Sequence, residues 1–226
     1  MTSIFQRALG PDFARLHPQL QRRFGVGLDN GVACTGRGTM RRIWHGKPFV
    51  QPFLRLGGTR NILLPRRGRD VPFVIENVPY VDPYGRETVS FVRTFAFPGQ
   101  RPRRFDAAMI FSEERGCVVD YLGTHQHLAT DLHLSVDASG GLHIRSGAHR
   151  FREGPVDVRV PDVVAGDAHV HESYDDAAGR FRIRVRVENR RFGPLFGYDG
   201  SFAAEFGPAP DALPEPLRPV RAEVRV

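Results

Sequence analysis

The apolar positions change their period partway along the chain. Phe13, Leu16, Leu20 and Phe24 recur at helical spacing, and Ser3-x-x-Gln6 ahead of them has the form of a capping box. Gly10-Pro11 interrupts this segment and Pro11 can open the next helical turn. Pro18 predicts a break or kink, and Gly25 closes the unit. From Val32 to Trp44 the chain reads as extended. Gly36 and Gly38 inside it mark a bulge, a barrel corner or a close backbone approach. Pro48 to Leu64 is apolar without strand alternation. It predicts a short helix and then a loop or strand, broken at Gly57-Gly58.

Beyond Pro65 the pattern is β. Segments near 71–81, 87–97, 103–112, 116–122, 127–137, 141–150, 168–174, 180–189 and 196–206 are rich in Val, Ile, Phe and Thr. Turn signals such as Asp82-Pro-Tyr-Gly85 and Asp137-Ala-Ser-Gly-Gly141 separate them. No helical crossovers lie between these strands, so the sheet is antiparallel. The expected fold is mainly β: an antiparallel curled sheet or a calycin/lipocalin-like barrel. It forms one domain over 1–206, with a helical N-terminal unit at 1–25 and an apolar lid at 48–64. A Pro-rich tail over 207–226 is expected to run over the surface.

Composition narrows the picture. The chain has 226 residues and only two cysteines, Cys34 and Cys117, with no second ligand at zinc-site spacing. A chain this long buries on the order of 70% of its unfolded surface without covalent staples. The N-terminus has no apolar signal-like region, and no stretch approaches the ~18 apolar residues of a membrane span. A cytoplasmic location is expected. The net charge of +7 raises the question of nucleic acid. Lys47 is the only lysine, however, and the arginines are spread along the chain. Arg180, Arg182, Arg184 and Arg186 alternate with Phe181, Ile183, Val185 and Val187, as on one solvated strand face. No nucleic-acid partner is expected.

Candidate chemistry centres on the segment 87–97. Val89, Phe91, Phe95 and Phe97 share one face with Arg93 and Glu87. A guanidinium among phenylalanines is costly unless paired. Arg93 either binds an anionic or carbonyl group in a cavity or pairs with a carboxylate to brace the sheet. Glu87, Glu172 and Tyr198 complete the polar candidates, although Tyr198-Asp-Gly200 reads more readily as a turn. Phe91, Phe95, Phe53 and Trp44 are the candidate apolar contacts. His125-x-His127 and His169-x-His171 are the alternative, a metal-dependent enzyme, because each pair would point the same way on a strand. His133, His143 and His149 also lie on expected strands, which favours a wet outer face for histidines, and no metal is expected. There is no G-x-S-x-G and no phosphate-binding glycine loop.

Taken in order, a set of short motifs resembles a known family. These are Phe5-Gln-Arg-Ala-Leu-Gly10 with Leu16-His-Pro18, then Gly36-x-Gly38, then Pro65-x-x-Gly68-x-x-Val71-Pro72. Gly85-Arg-Glu87 follows with Phe91-x-Arg93-x-Phe95, then Gly123, Gly140-Gly141-Leu142 and Glu172. Gly179-Arg-Phe181, Gly193-Pro-Leu195 and Tyr198-x-Gly200 close the run. The set is similar to the bacterial "domain of unknown function 4166" family, over nearly the whole chain to about residue 206. Phe91 stands where that family usually has Trp, segment 150–167 lacks its usual proline-rich loop, and the histidines lie outside its pattern. The occasional fusion of that family to a saccharopine-dehydrogenase-like domain implies small-molecule metabolism.

The expected function is therefore binding of a hydrophobic or amphipathic small metabolite in an apolar cavity under the 48–64 lid. Cofactor-independent acid/base chemistry of the isomerase, cyclase or dehydratase type is compatible with it. A non-enzymatic interaction module is the third class.

Overall fold

The computed structural model describes residues 2–161, 163 and 165–226. Its strands are β1 (Val32–His45), β2 (Gly68–Val81), β3 (Glu87–Phe95), β4 (Arg103–Ser112), β5 (Cys117–Leu122) and β6 (Leu128–Val136). They continue as β7 (Leu142–Glu153), β8 (Val156–Arg159), β9 (Asp167–Asp175), β10 (Arg180–Asn189) and β11 (Gly193–Pro208). Pairing runs β6-β5-β4-β3-β2-β1-β11-β10-β9-β7, all antiparallel, and a β6–β7 pairing closes the ring into a ten-stranded barrel. The short β8 extends the β7 hairpin outside that ring.

Closure depends on two glycines in β1. A Cβ on Gly38 would sit 2.1 Å from the Ser201 carbonyl oxygen, and one on Gly36 would meet Ile75 and Phe202 at 2.6 Å. The space goes to Phe202, which stacks on Phe181 with centroids 5.2 Å apart and touches Phe73 at 6.0 Å. Further along, the register of β1 against β11 shifts between Met40 and Arg42. Met40 and Ile43 are both buried across this bulge, while Arg41 and Arg42 are both exposed.

The N-terminal unit closes one end of the barrel. It consists of α1 (Ile4–Leu9), a 3-10 turn (Gly10–Arg15) and α2 (Pro18–Phe24). Ser3 caps α1, its Oγ accepting from the Gln6 amide at 3.2 Å and donating to the Phe24 carbonyl at 2.8 Å. The helical segment breaks at Pro18, as expected: the 3-10 turn ends at Arg15 and a new helix starts here. Pro18 is the first residue of α2, where its missing N–H costs nothing, and the His17 ring caps it. Ile4, Phe5, Leu20 and Phe24 are fully buried as the barrel floor.

At the opposite end, the mouth, lies the apolar segment. A 3-10 turn (Pro48–Val50) leads into α3 (Gln51–Gly58). The loop behind α3 is pinned to the barrel rim: Asn61 accepts from the Asp106 amide at 2.9 Å through its carbonyl and donates to the Asp106 carboxylate at 2.9 Å.

The C-terminal segment does more than cross the surface. Leu213 and Leu217 pack on Val78 and Val92 on the outer face of the sheet, and Val226 packs beside Ile110, Val119 and Tyr121. Arg86 donates to the carbonyls of Glu223 (2.7 Å) and Val224 (3.0 Å), Tyr121 to Arg225 (2.9 Å), and Arg104 to Pro216 (2.6 Å). No helix among the described residues is long and apolar enough to cross a membrane.

Candidate functional site

The barrel interior, floored by Phe5 and Phe24 and covered by Val50, Phe53 and Leu54, encloses a cavity of about 370 Å³. Ligand sites commonly occupy ~300–1,000 Å³ with mostly apolar walls and a few polar groups. This wall is apolar over most of its area, with Met109, Leu122, Leu132, Ile144, Val185 and Phe196 among its contributors.

The polar groups are few. Alternation along β3 turns Val89, Phe91, Arg93 and Phe95 inward, and Phe91 and Arg93 reach the cavity. The Arg93 guanidinium lies 5.0 Å from the centroid of Phe105 and 5.7 Å from that of Phe91. Arg93 is buried, and its Nε has no hydrogen-bond partner among the described residues. Tyr198 comes from β11, and Tyr198-Asp-Gly200 is strand rather than turn. Its ring meets Phe95 edge-on at 5.3 Å, and its hydroxyl is buried without a partner among the described residues. Burial pushes the Tyr198 hydroxyl pKa up, against the opposing pull of the Arg93 charge.

Asp120 of β5 joins them. It is buried, its Oδ1 has no partner among the described residues, and it lines the same cavity. Burial pushes its carboxyl up to about 7, and the Arg93 charge opposes that rise. Beyond it, Thr130 of β6 pairs with His149 of β7 through Oγ1 and Nδ1 at 2.8 Å, and both line the cavity. His149 is thus an inward histidine rather than one on a wet face.

Glu172 also lines the cavity, but both its oxygens face Arg23 of α2. Arg23 donates from Nε at 2.8 Å and from a terminal nitrogen at 3.3 Å. The other terminal nitrogen of Arg23 donates to Asn77 at 2.6 Å and to the Cys34 sulfur at 3.6 Å. Glu172 therefore belongs to a floor ion pair rather than to the free polar set.

Three expected site residues lie elsewhere. Glu87 starts β3 at the floor end and accepts from the Leu28 amide at 3.0 Å, tying down the loop after α2. Trp44 stands beside Gly197 on the neighbouring strand, outside the cavity lining. Phe95 points inward but is spent on the aromatic cluster with Phe73 and Tyr198. Phe53 does line the cavity, as part of the lid.

The two H-x-H pairs do not converge. His125 and His127 stack on each other at 5.4 Å, and His127 faces Arg60 and Glu153. His169 is exposed on β9. His171 instead meets His143, its cross-strand partner, with rings stacked at 4.3 Å. Asp137 Oδ2 lies 3.0 Å from His171 Nε2 and 3.2 Å from His143 Nε2. Asp137, His143 and His171 are the one set among the described residues with metal-ligand types and spacing. The Asp137 Oδ1 is meanwhile occupied by Ser139 and the Gly141 amide, the normal work of an aspartate in a hairpin turn.

The fold and the site together define a class: a closed antiparallel barrel with an apolar, largely enclosed cavity and a few buried polar groups in its wall. The chain belongs to the family described as Domain of unknown function (DUF4166), whose pattern matches residues 16–202. It is also 32% identical over 205 residues to the uncharacterized protein YndH of Bacillus subtilis (strain 168), across 91% of this chain and 98% of that protein.

Proposed function

We propose that the barrel binds an amphipathic small molecule whose anionic or carbonyl group sits between Arg93, Asp120 and Tyr198, with its apolar part along the cavity wall. The observation that carries this reading is the coincidence of an apolar cavity of about 370 Å³ with three buried polar groups in its wall, each with an atom lacking a partner among the described residues. Folding gains nothing from leaving such atoms unsatisfied, at a cost of about 1–3 kcal/mol each. A ligand that supplies their partners removes that cost.

The protonation state of Asp120 extends the proposal to chemistry. A carboxyl titrating at about 7, beside a fixed positive charge, is poised to give or take a proton near neutral pH. Arg93 would stabilise negative charge developing on a carbonyl oxygen, and Tyr198 would share it. That set suits an isomerase, cyclase or dehydratase without a cofactor. The test is a calorimetric titration with a medium-chain carboxylate and the matching primary amine. The proposal expects the carboxylate to bind, and Arg93→Leu to lose at least about tenfold in affinity. Equal binding of both compounds, or an unchanged Arg93→Leu variant, would sink it.

A further inference from the structure

The lid helix has apolar side chains on both of its faces. Val50 and Leu54 point into the barrel and are buried, whereas Phe49, Phe53 and Leu56 are 45, 68 and 72% exposed. Phe192, from the turn between β10 and β11, is 41% exposed and meets Phe49 edge-on at 5.5 Å. Together they form an apolar rim around the cavity mouth. Rims of this kind mark a contact surface rather than random exposure.

Charge identifies what the rim contacts. Between Asp29 and Asp70 the chain has nine basic residues and no acidic one. The fold places much of this stretch at the mouth, where Lys47, Arg55 and Arg67 are exposed, and adds the exposed Arg101 and Arg191 from other loops. Exposed acids are fewer there, Asp70, Glu153 and Asp157, while Asp12, Glu113 and Asp176 sit at the floor end against Arg15, Arg7 and His17. The mouth therefore carries an excess of basic side chains around the exposed aromatics.

We propose that the mouth docks on an anionic lipid bilayer, with Phe53 and Leu56 entering the headgroup boundary and the surrounding arginines contacting lipid phosphates. Exposed aromatic and aliphatic side chains ringed by cations are what such a boundary binds, through apolar burial and surface charge together. The docking stands whether or not the cavity holds a ligand. If it does, docking sets the entrance against the layer in which amphipathic molecules reside.

Co-sedimentation with vesicles tests this, using phosphatidylcholine alone and phosphatidylcholine mixed with phosphatidylglycerol. The full chain should pellet with the mixed vesicles and stay in solution with the neutral ones, and rising salt should release it. Phe53→Ser with Leu56→Ser, and separately Arg55→Glu with Arg67→Glu, should each weaken binding by about tenfold or more. All four side chains are exposed, and a circular dichroism melt checks that the fold survives. Failure of the parent protein to bind mixed vesicles would overturn the proposal. So would a dimer that Phe53→Ser with Leu56→Ser converts to monomer, which would assign the rim to a second copy of the chain. Vesicle binding retained by Arg93→Leu, with its cavity ligand lost, would sink neither idea and would separate the two sites.

Discussion

Arg23 of α2 grips both carboxylate oxygens of Glu172, 149 residues further along the chain, at 2.8 and 3.3 Å. Both side chains are almost wholly buried, at 1 and 4% exposure. The Arg23 guanidinium also lies 5.0 Å from the centroid of Phe202, so the pair locks the N-terminal floor to the sheet. Removing one partner strands the other charge. Glu172→Gln and Arg23→Met should each lower stability by about 3–5 kcal/mol in urea melts, and Arg23→Met with Glu172→Leu should recover much of that loss. Single variants within about 1 kcal/mol of the parent would show that the pair does not hold the floor.

Asp120 gives the protein a pH signature. Its carboxyl titrates at about 7 in the folded barrel, against 3.8 ordinarily. Below pH 3.8 both states hold the proton, and the contribution to stability is fully present. Between the two values the unfolded chain ionises while the folded one keeps its proton, so stability falls as pH rises, and the loss is complete above about 7. Asp120→Asn should therefore raise the unfolding free energy at pH 8, by at most about 4 kcal/mol. At pH 4 it should change little. A gain of equal size at both values would mean that Asp120 does not titrate as its burial dictates.

Tyr198 should separate folding from binding. Its hydroxyl is buried without a partner among the described residues, so Tyr198→Phe removes an unsatisfied group. Stability should rise or stay within about 1 kcal/mol. Affinity for the cavity ligand should fall. A destabilisation of several kcal/mol would reveal a structural partner for this hydroxyl instead.

The C-terminal strap should be required for a stable barrel. Deleting residues 209–226 uncovers Val78, Val92, Val119 and Tyr121 and takes the acceptors from Arg86 and Arg104. Each large apolar side chain returned to water costs about 1.5–3 kcal/mol. The urea midpoint should drop sharply. A deletion variant with the parent midpoint would reduce the strap to a passive tail.

The strap also explains what the sequence hid. The outer faces of β3 and β5 are covered, so Val92 and Val119 are as buried as Val89 and Val118. Alternation is erased on β5, and nothing in Cys117-Val-Val-Asp-Tyr-Leu122 told Asp120 that it faces inward. On β10, by contrast, one face is solvated, and Arg180 to Val187 showed its orientation directly. Arg93 was legible because three phenylalanines share its face. Arg23 was not, because helical spacing marked Leu20 and Phe24 and left Arg23 looking solvated. Glu87 shares the face of Arg93 but stands at the strand end, beyond the cavity; periodicity gives a face, not a depth. The convergence of His171 with His143 needed the β7–β9 pairing, which joins non-consecutive strands and has no local signature.

The most direct test of the central claim is native mass spectrometry of the freshly purified protein beside Arg93→Leu, followed by denaturation and extraction. The account predicts a parent mass raised by one small organic molecule with an anionic or carbonyl group, absent from the variant. An adduct retained unchanged by Arg93→Leu, or one that lacks any such group, would contradict it.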